Sequence, residues 1–421
     1  MKAGLQTEKL DEGLYRTIAE NGVTVISEVI PAVRSVAVGL WVRAASAHEL
    51  PSCMGVSHLL EHMVFKGTER RSARDIALEL EARGGSLDAF TAREHTSYQA
   101  RVLDEDLPRA LDVLTDLVRN PVLRDADLEL ERGVILEEIS TVEDTPDDLV
   151  FDLHGSALWP DHPYGYSILG TRETVRSLDV QNLRDLHARA YHPRQVVIAV
   201  AGNLKHDVLL QLLAKCGWFA FEPGPEPATI SPVPAGRRVT ERVPRDSAQT
   251  HIVMGTDTFG YADERRYSLL LLNTVLGAGM ASRLFQRVRE ELGLAYAVYS
   301  YHSFYEHSGV TGVYVGTRPS TAEQAVEAIN SELDRLKREG LSADSLAEAK
   351  QQLKGQVTLG LESPSSRMYR AAGIVLHRQP YKSISQVLLE IDEVRAADVA
   401  AVAQEFFDPE RQTAVWLGPN Q

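Results

Sequence analysis

The sequence has few of the features that mark secreted, membrane-spanning or transit-targeted proteins. Its 421 residues include two cysteines, Cys53 and Cys216, which are too few for a disulfide framework. No apolar run is long enough to cross a bilayer as a helix. The segment MKAGLQTEKLDEGLYRTIAENG lacks both the apolar core of a signal peptide and the arginine-rich, acid-poor composition of a transit peptide. These absences predict a cytoplasmic protein with no membrane partner.

The chain also lacks an excess of basic residues. It carries 44 Lys and Arg against 59 Asp and Glu, a net charge of −15. Binding to nucleic acid requires a basic surface that neutralises phosphates, so we expect no nucleic-acid partner. The negative charge fits basic peptides as substrates, and it fits equally an acidic surface whose role is to keep the protein soluble.

The length of the chain predicts two domains, because 421 residues exceed what one hydrophobic core usually organises. The segment FEPGPEPATISPVPAG, residues 221–236, holds five prolines and is typical of an extended linker. We therefore expect an N-terminal domain over residues 1–220, a linker over 221–236 and a C-terminal domain over 237–421.

The two predicted domains resemble each other in sequence. A helix pattern, a proline turn and a β-branched strand occur in SLDVQNLRDLHARAYHPRQVVIAVAGN and again in EVRAADVAAVAQEFFDPERQTAVWLGPN. The step from Pro193 to Pro409 is 216 positions, about half the chain, and the flanking apolar residues keep the same step. This pattern indicates a duplicated domain, although one amphipathic helix followed by a strand can also match by chance.

The motif His58-Leu59-Leu60-Glu61-His62 carries the clearest chemical signal. Residues four apart lie one turn apart on a helix, so His58 and His62 can aim both imidazoles at one metal ion. Zinc suits imidazole ligands, and Glu61 borders the site where a general base would stand. The alternative is a pair of surface histidines beside a glutamate. The apolar neighbours argue against it, because they predict a buried helix in which His and Glu need partners.

A third metal ligand has to come from another segment, and the helical pattern DADLELERGVILEEISTVED offers two candidates. Glu131 and Glu138 lie seven residues apart on its apolar face, where an unpartnered carboxylate is costly. They are the best candidates for a ligand and a supporting carboxylate. An amphipathic helix with glutamates at its margin would give the same pattern. Three further carboxylates fall on other faces and are expected in solvent: Glu129, Glu137 and Glu143.

The stretch HLLEHMVFKGT, with Glu138 76 positions after His62, resembles the pitrilysin family over nearly the whole chain. That family includes the insulin-degrading enzymes and the mitochondrial processing peptidases, and the size fits the smaller, processing-peptidase-like branch. The resemblance implies a zinc metallopeptidase with one Zn²⁺ per chain. It implies zinc ligands at His58, His62 and Glu138, a general base at Glu61 and a supporting acid at Glu131.

Two other segments extend the resemblance. The predicted strand Ser86–Val102 begins within GGSLDAFTAREHTSY, which is similar to the edge strand that receives substrate as an added β-strand in this family. The implied substrate contacts are Asp88, Ala89, Phe90 and Thr91. The family usually has Asn in place of Asp88, and a turn residue is the alternative interpretation of Asp88. The segment SRLFQRVREELGLAYAV resembles the family's Arg-and-Tyr element. It implies that Arg289 and Tyr296 reach the active site from the second domain and stabilise the oxyanion.

The expected fold is α+β: two duplicated domains, each a mixed, largely antiparallel sheet with helices packed on one face, facing each other across a cleft. The resemblance implies an endopeptidase that cleaves unfolded peptides inside an enclosed chamber formed by a homodimer or by a heterodimer with an inactive partner. A non-catalytic assembly subunit is one alternative, but such relatives typically lose the zinc motif that this chain retains. A module that binds peptides without cutting them is the other.

Overall fold

The computed structural model describes residues 4–419. Within this range the chain divides into two compact units. Unit 1 comprises the described residues up to Ser140, Ser167–Ile230 and Gly360–Tyr381. Unit 2 comprises Thr141–Tyr166, Ser231–Leu359 and the described residues from Lys382 onward. None of the described helices is both long enough and apolar enough to span a bilayer.

Strands and helices are interspersed along the chain. Residues 4–419 form twelve strands: β1 Leu5–Asp11, β2 Leu14–Ala19, β3 Thr24–Val29, β4 Ser35–Val42, β5 Ser86–Thr91, β6 Thr96–Leu103, β7 Val196–Gly202, β8 Thr240–Pro244, β9 Thr250–Thr258, β10 Ala295–Phe304, β11 Gly309–Thr317 and β12 Thr413–Gly418. The same range forms fourteen α-helices: α1 Val56–Val64, α2 Ala73–Glu81, α3 Leu107–Arg119, α4 Asp125–Glu143, α5 Pro146–Leu158, α6 Arg172–Ser177, α7 Val180–Ala190, α8 His206–Lys215, α9 Arg266–Gly277, α10 Ala322–Glu339, α11 Ala343–Leu359, α12 Pro364–Leu376, α13 Ile384–Glu393 and α14 Ala396–Phe406.

Unit 1 contains a seven-stranded sheet in the order β1-β2-β3-β7-β4-β6-β5. Strands β3 and β7 are parallel, and the other neighbours are antiparallel. The prediction of a mixed, largely antiparallel sheet is therefore confirmed. The stretch Ser86–Val102, expected as one strand, is instead a hairpin of β5 and β6 that turns at residues 92–95. As a result, β5 is the terminal strand of the sheet.

The central strands β4 and β7 of unit 1 are buried on both faces. Side chains alternate along a strand, so Val36 and Val38 join the core shared with α1 and α3. Ala37 and Trp41 point to the opposite face, where they pack with Met368 of α12. The expected helices pack on one face of this sheet, and α12 covers the second face as well. A sheet covered twice needs continuous apolar strands, and the sequences SVAVGLWV and VVIAVAG supply them.

Unit 2 contains a five-stranded sheet in the order β10-β11-β9-β12-β8. Strands β8 and β12 are parallel, and the remaining neighbours are antiparallel. Val253 and Val415 pack with Val150 of α5 on one face. Ile252 faces the larger core that includes Leu269 of α9. Unit 2 is thus also covered on both faces, with one helix on the second face.

The two units repeat the same supersecondary structure. Helices α7 and α14 are both 11 residues long, and Val180 to Ala396 and Ala190 to Phe406 are both steps of 216 positions. Each helix leads through a turn at Pro193 or Pro409 into a buried strand, β7 or β12. The predicted duplication agrees with this correspondence in the elements themselves.

Helices α5 and α12 occupy corresponding places but are exchanged between the halves of the chain. Both have 13 residues and a proline in the first turn. Helix α5 follows the first-half helix α4 yet belongs to unit 2, whereas α12 follows the second-half helix α11 yet belongs to unit 1. The compact units therefore depart from the linear division at residues 141–166 and 360–381. The proline-rich segment 221–236 contains neither helix nor strand.

Candidate metal centre

Helix α1 is held by a buried carboxylate at its N-terminus. The Glu49 side chain accepts the backbone N–H of Gly55 at 2.8 Å and that of Ser57 at 2.7 Å, which satisfies two donors that a helix leaves open at its first turn. Gly55 has φ of 88°, and a Cβ there would lie 2.5 Å from the carbonyl oxygen of Leu169. Glycine is therefore required at this position, and α1 begins at a defined residue.

His58 and His62 project from the same face of α1, with ring centroids 4.6 Å apart. Glu138 of α4 approaches both rings: its Oε2 lies 3.7 Å from Nε2 of His58, and its Oε1 lies 3.7 Å from Nε2 of His62. All three ligand atoms lie within 4.8 Å of one another, and across residues 4–419 this is the only group of three or more His, Cys, Asp or Glu side chains with that geometry.

The separation of these atoms fits a tetrahedral zinc site. Ligand atoms about 2.1 Å from a common tetrahedral ion lie about 3.4 Å apart. The shortest carboxylate-to-imidazole separations, one from each oxygen of Glu138, are 3.7 Å. Oε2 of Glu138 is also buried without a hydrogen-bond partner among the described residues. A buried carboxylate oxygen is costly unless a cation or donor compensates it, so the donor set and its surroundings fit a bound Zn²⁺.

The protonation state of His58 suits a metal ligand. Burial, together with the smaller effect of the neighbouring His62, lowers the pKa of His58 to about 4. The imidazole is thus neutral at physiological pH and keeps a lone pair for coordination. Its Nδ1 is buried and has no hydrogen-bond partner within the described chain, so no hydrogen bond at Nδ1 orients this ring.

His62 has a partner that His58 lacks. Its Nδ1 lies 3.1 Å from Oε2 of Glu131, whose side chain is 7% exposed. Donation from Nδ1–H to this carboxylate leaves Nε2 directed towards Glu138. In metal sites, a carboxylate that accepts the second ring N–H of a histidine ligand fixes the tautomer of that histidine in this way. The other oxygen of Glu131, Oε1, lies 2.5 Å from Nζ of Lys66. The sequence interpretation assigned no role to Lys66, which lies beyond the five-residue motif.

Glu61 borders the cluster from the same helix and is 9% exposed. Burial raises the pKa of its carboxyl group, while a hydrogen bond from the Thr91 hydroxyl acts in the opposite direction. That hydroxyl donates to Oε2 of Glu61 over 2.5 Å. The residues alone did not indicate this contact, because Thr91 and Glu61 are 30 positions apart in two different elements.

Four of the predicted substrate contacts lie along β5, the terminal strand of the sheet. Asp88 lies within the strand, not in a turn, and its Oδ1 accepts the backbone N–H of Ala89 at 2.9 Å. The Phe90 ring lies 5.9 Å from the ring of His95. Thr91 ends the strand and reaches Glu61. One end of this edge strand is therefore tied to the motif helix.

Arg289 and Tyr296 come together in unit 2, whereas the three candidate ligands belong to unit 1. Arg289 lies in a short π-helix, Phe285–Glu291, and donates from Nη1 to the carbonyl oxygen of Tyr296 at 3.0 Å. Its guanidinium also stacks 4.5 Å from the Tyr296 ring centroid. The Tyr296 side chain, at the start of β10, is 78% exposed, so its hydroxyl is open to a ligand.

Two protein-family models match successive parts of the chain. Residues 24–172 match the model of the insulinase family, peptidase family M16, and residues 177–353 match the model of the peptidase M16 inactive domain. The first match contains all three candidate ligands. The second contains Arg289 and Tyr296.

Relatives align with nearly the whole chain. The uncharacterized zinc protease YmxG of Bacillus subtilis is 41% identical over 396 residues, 94% of this chain and 96% of its own length. An uncharacterized zinc protease of Streptomyces coelicolor is 39% identical, covering 96% of this chain and 89% of the relative. A protease from Helicobacter pylori shares the fold, with a TM-score of 0.90 at 20% identity over 99% of this chain and 100% of that chain. An M16-like peptidase from Alicyclobacillus acidocaldarius has a TM-score of 0.85 at 22% identity, with 100% of both chains covered.

Proposed function

The chain belongs to the insulinase family of peptidases, family M16, and is a zinc metallopeptidase of that family; we propose that His58, His62 and Glu138 hold its zinc ion. The convergence of these three side chains, with ligand atoms within 4.8 Å of one another, carries the proposal. The neutral imidazole of His58 and the unpartnered oxygen of Glu138 support it. A zinc ion bound there would acidify a water molecule and polarise a substrate carbonyl.

Glu61 is the proposed general base. It accepts the proton of the attacking water and returns that proton to the leaving amine nitrogen. Its carboxyl group suits both roles, because burial raises its pKa towards the working pH while the Thr91 hydroxyl favours the ionised form. The hydrogen bond from Thr91 also restrains the carboxylate beside the two histidines.

Substrate is proposed to bind as an additional strand along β5, over Asp88, Ala89, Phe90 and Thr91. The terminal position of β5 in its sheet supports this, since an edge strand can pair with an extended peptide. Pairing through main-chain atoms accepts many side chains, which favours an endopeptidase of broad specificity acting on unfolded peptides.

Arg289 and Tyr296 are proposed to hold the substrate carbonyl and to stabilise the oxyanion from the second unit. The exposed Tyr296 ring and the restraint of Arg289 against it support this role. The proposal includes an enclosed chamber built by a homodimer in the cytoplasm. Light scattering of the purified protein tests the dimer, and a monomer at all concentrations would count against the chamber.

The substitution Glu61→Gln tests the reaction. We expect the variant to bind one zinc ion per chain, as the parent does, and to lose peptide cleavage, because an amide cannot accept the proton. Metal analysis and mass spectrometry of incubated peptides measure the two properties, with Glu137→Gln as a control on an exposed face of α4. Cleavage by Glu61→Gln at the parental rate would contradict the scheme. Peptide capture by the parent without new termini would instead indicate a binding module.

A further inference from the structure

An ion pair joins the two helices that carry the candidate ligands. Lys66 follows the end of α1, where its backbone N–H donates to the carbonyl oxygen of Met63 at 3.1 Å. Its Nζ lies 2.5 Å from Oε1 of Glu131 on α4. The Lys66 side chain is 34% exposed and that of Glu131 is 7% exposed. A partly exposed ammonium group is therefore paired with a buried carboxylate.

The two oxygens of Glu131 are divided between two partners. Oε1 contacts Lys66 at 2.5 Å, and Oε2 contacts Nδ1 of His62 at 3.1 Å. A buried carboxylate left with one partner would be poorly compensated and would turn towards water or another donor. The Lys66 contact therefore keeps Oε2 of Glu131 where Nδ1–H of His62 can reach it.

This contact has two consequences for the metal site. Donation from Nδ1–H fixes the tautomer of His62 and leaves Nε2 for the metal. The ion pair also restrains the end of α1 against α4 at Glu131, seven residues before Glu138. It therefore helps to set the 3.7 Å distance between Nε2 of His62 and Oε1 of Glu138. His58 has no equivalent, since its Nδ1 lacks a hydrogen-bond partner among residues 4–419.

We propose that Lys66 is a positioning residue of the metal centre that acts on His62 through Glu131. The proposal rests on the proposed function, because it requires zinc at His58, His62 and Glu138. Among residues 4–419, the Lys66 side chain forms an ion pair with Glu131 and no hydrogen bond or ion pair with the candidate ligands or the proposed base, so its effect should appear in zinc affinity and should depend on Glu131.

The test compares the zinc dissociation constants of the full-length parent, Lys66→Met, Glu131→Gln and the double variant by competition with a chelator. We expect Lys66→Met to weaken zinc binding by about 10- to 100-fold, the range found when partners of metal-bound histidines are removed. In the Glu131→Gln background, the same substitution should have an effect of less than about threefold, because the path to His62 is already broken. Lys215→Met, which removes an exposed lysine at the end of α8, controls for lost charge and should bind zinc as the parent does.

Two outcomes would overturn the proposal. In the first, Lys66→Met binds zinc as tightly as Lys215→Met. In the second, Lys66→Met weakens zinc binding by the same factor with and without the Glu131 carboxylate. Circular dichroism of the zinc-free proteins establishes folding, and Lys66→Gln replaces Lys66→Met if the latter does not fold. A parent that binds no zinc, or a His62→Ala variant with parental affinity, would refute the proposed function itself.

Discussion

The hydrogen bond between Thr91 and Glu61 gives the most direct test of how the fold prepares the proposed base. Thr91→Val removes the hydroxyl group and preserves the β-branched shape of a strand residue. The hydroxyl donates to Oε2 of Glu61 over 2.5 Å, and Glu61 is 9% exposed. Little water is therefore available to replace the lost donor.

The size of the effect follows from the charge on the acceptor. A hydrogen bond to a charged group contributes about 1.5–3 kcal/mol. Its loss should therefore lower kcat/KM by about 10- to 150-fold. Burial raises the pKa of Glu61 and the Thr91 hydroxyl opposes that rise, so Thr91→Val raises the pKa further. Because a base acts only when deprotonated, the loss should be greatest at low pH and should shrink as the pH rises.

The assay is kcat/KM for peptide cleavage as a function of pH, with zinc content measured on the same samples. Thr91→Ser restores the donor and should recover most of the activity, whereas Thr91→Val should move the acid limb of the profile to higher pH. A Thr91→Val enzyme within twofold of the parent at every pH, with full zinc content, would refute this account of Thr91.

Two further predictions concern stability. Met368→Ala on α12 should lower the free energy of unfolding by about 2–5 kcal/mol, because it leaves a cavity in place of a side chain that is 1% exposed. Denaturant titration measures this free energy. Leu389→Ala, which truncates a side chain that is 59% exposed, should change it far less. An unchanged stability in Met368→Ala would mean that α12 does not cover its sheet. Burial lowers the pKa of His154 on α5 to about 4, so the unfolded chain takes up a proton first as the pH falls, and stability should decline by up to about 3 kcal/mol between pH 6.5 and 4. His154→Gln should flatten this decline, whereas His307→Gln, at an exposed position, should not.

The local parts of the candidate site could be predicted from the residues alone. The spacing of His58 and His62 places both on one face of any helix that contains them, and the structure has that helix. The apolar pattern of α4 separated Glu131 and Glu138 from the glutamates on its other faces. The structure brings Glu138 to the two histidines and Glu131 to His62. Their chemical roles stay predictions until cleavage and zinc binding are measured.

The contacts that are proposed to support the site could not be predicted in this way. Thr91 and Glu61 are 30 positions apart. Lys66 follows α1 and Glu131 lies on α4, and local periodicity does not indicate that these two segments pack together. The family resemblance drew attention to Thr91 as a substrate contact but not as a partner of the base. Lys66 stood inside the quoted stretch HLLEHMVFKGT without a role, because only the position of α4 provides its partner.

The sequence by itself determined the motif helix, the repeat and the face of each helix that carries the candidate metal ligands, but not the division of Ser86–Val102 into two strands. These properties follow from local periodicity and from the step of 216 positions between Pro193 and Pro409. Only the tertiary structure decided that α5 and α12 each cover the sheet of the unit formed mainly by the other half of the chain. A buried strand requires an apolar cover on each face but does not specify which helix provides it, so the exchange depends on the packing of the whole chain.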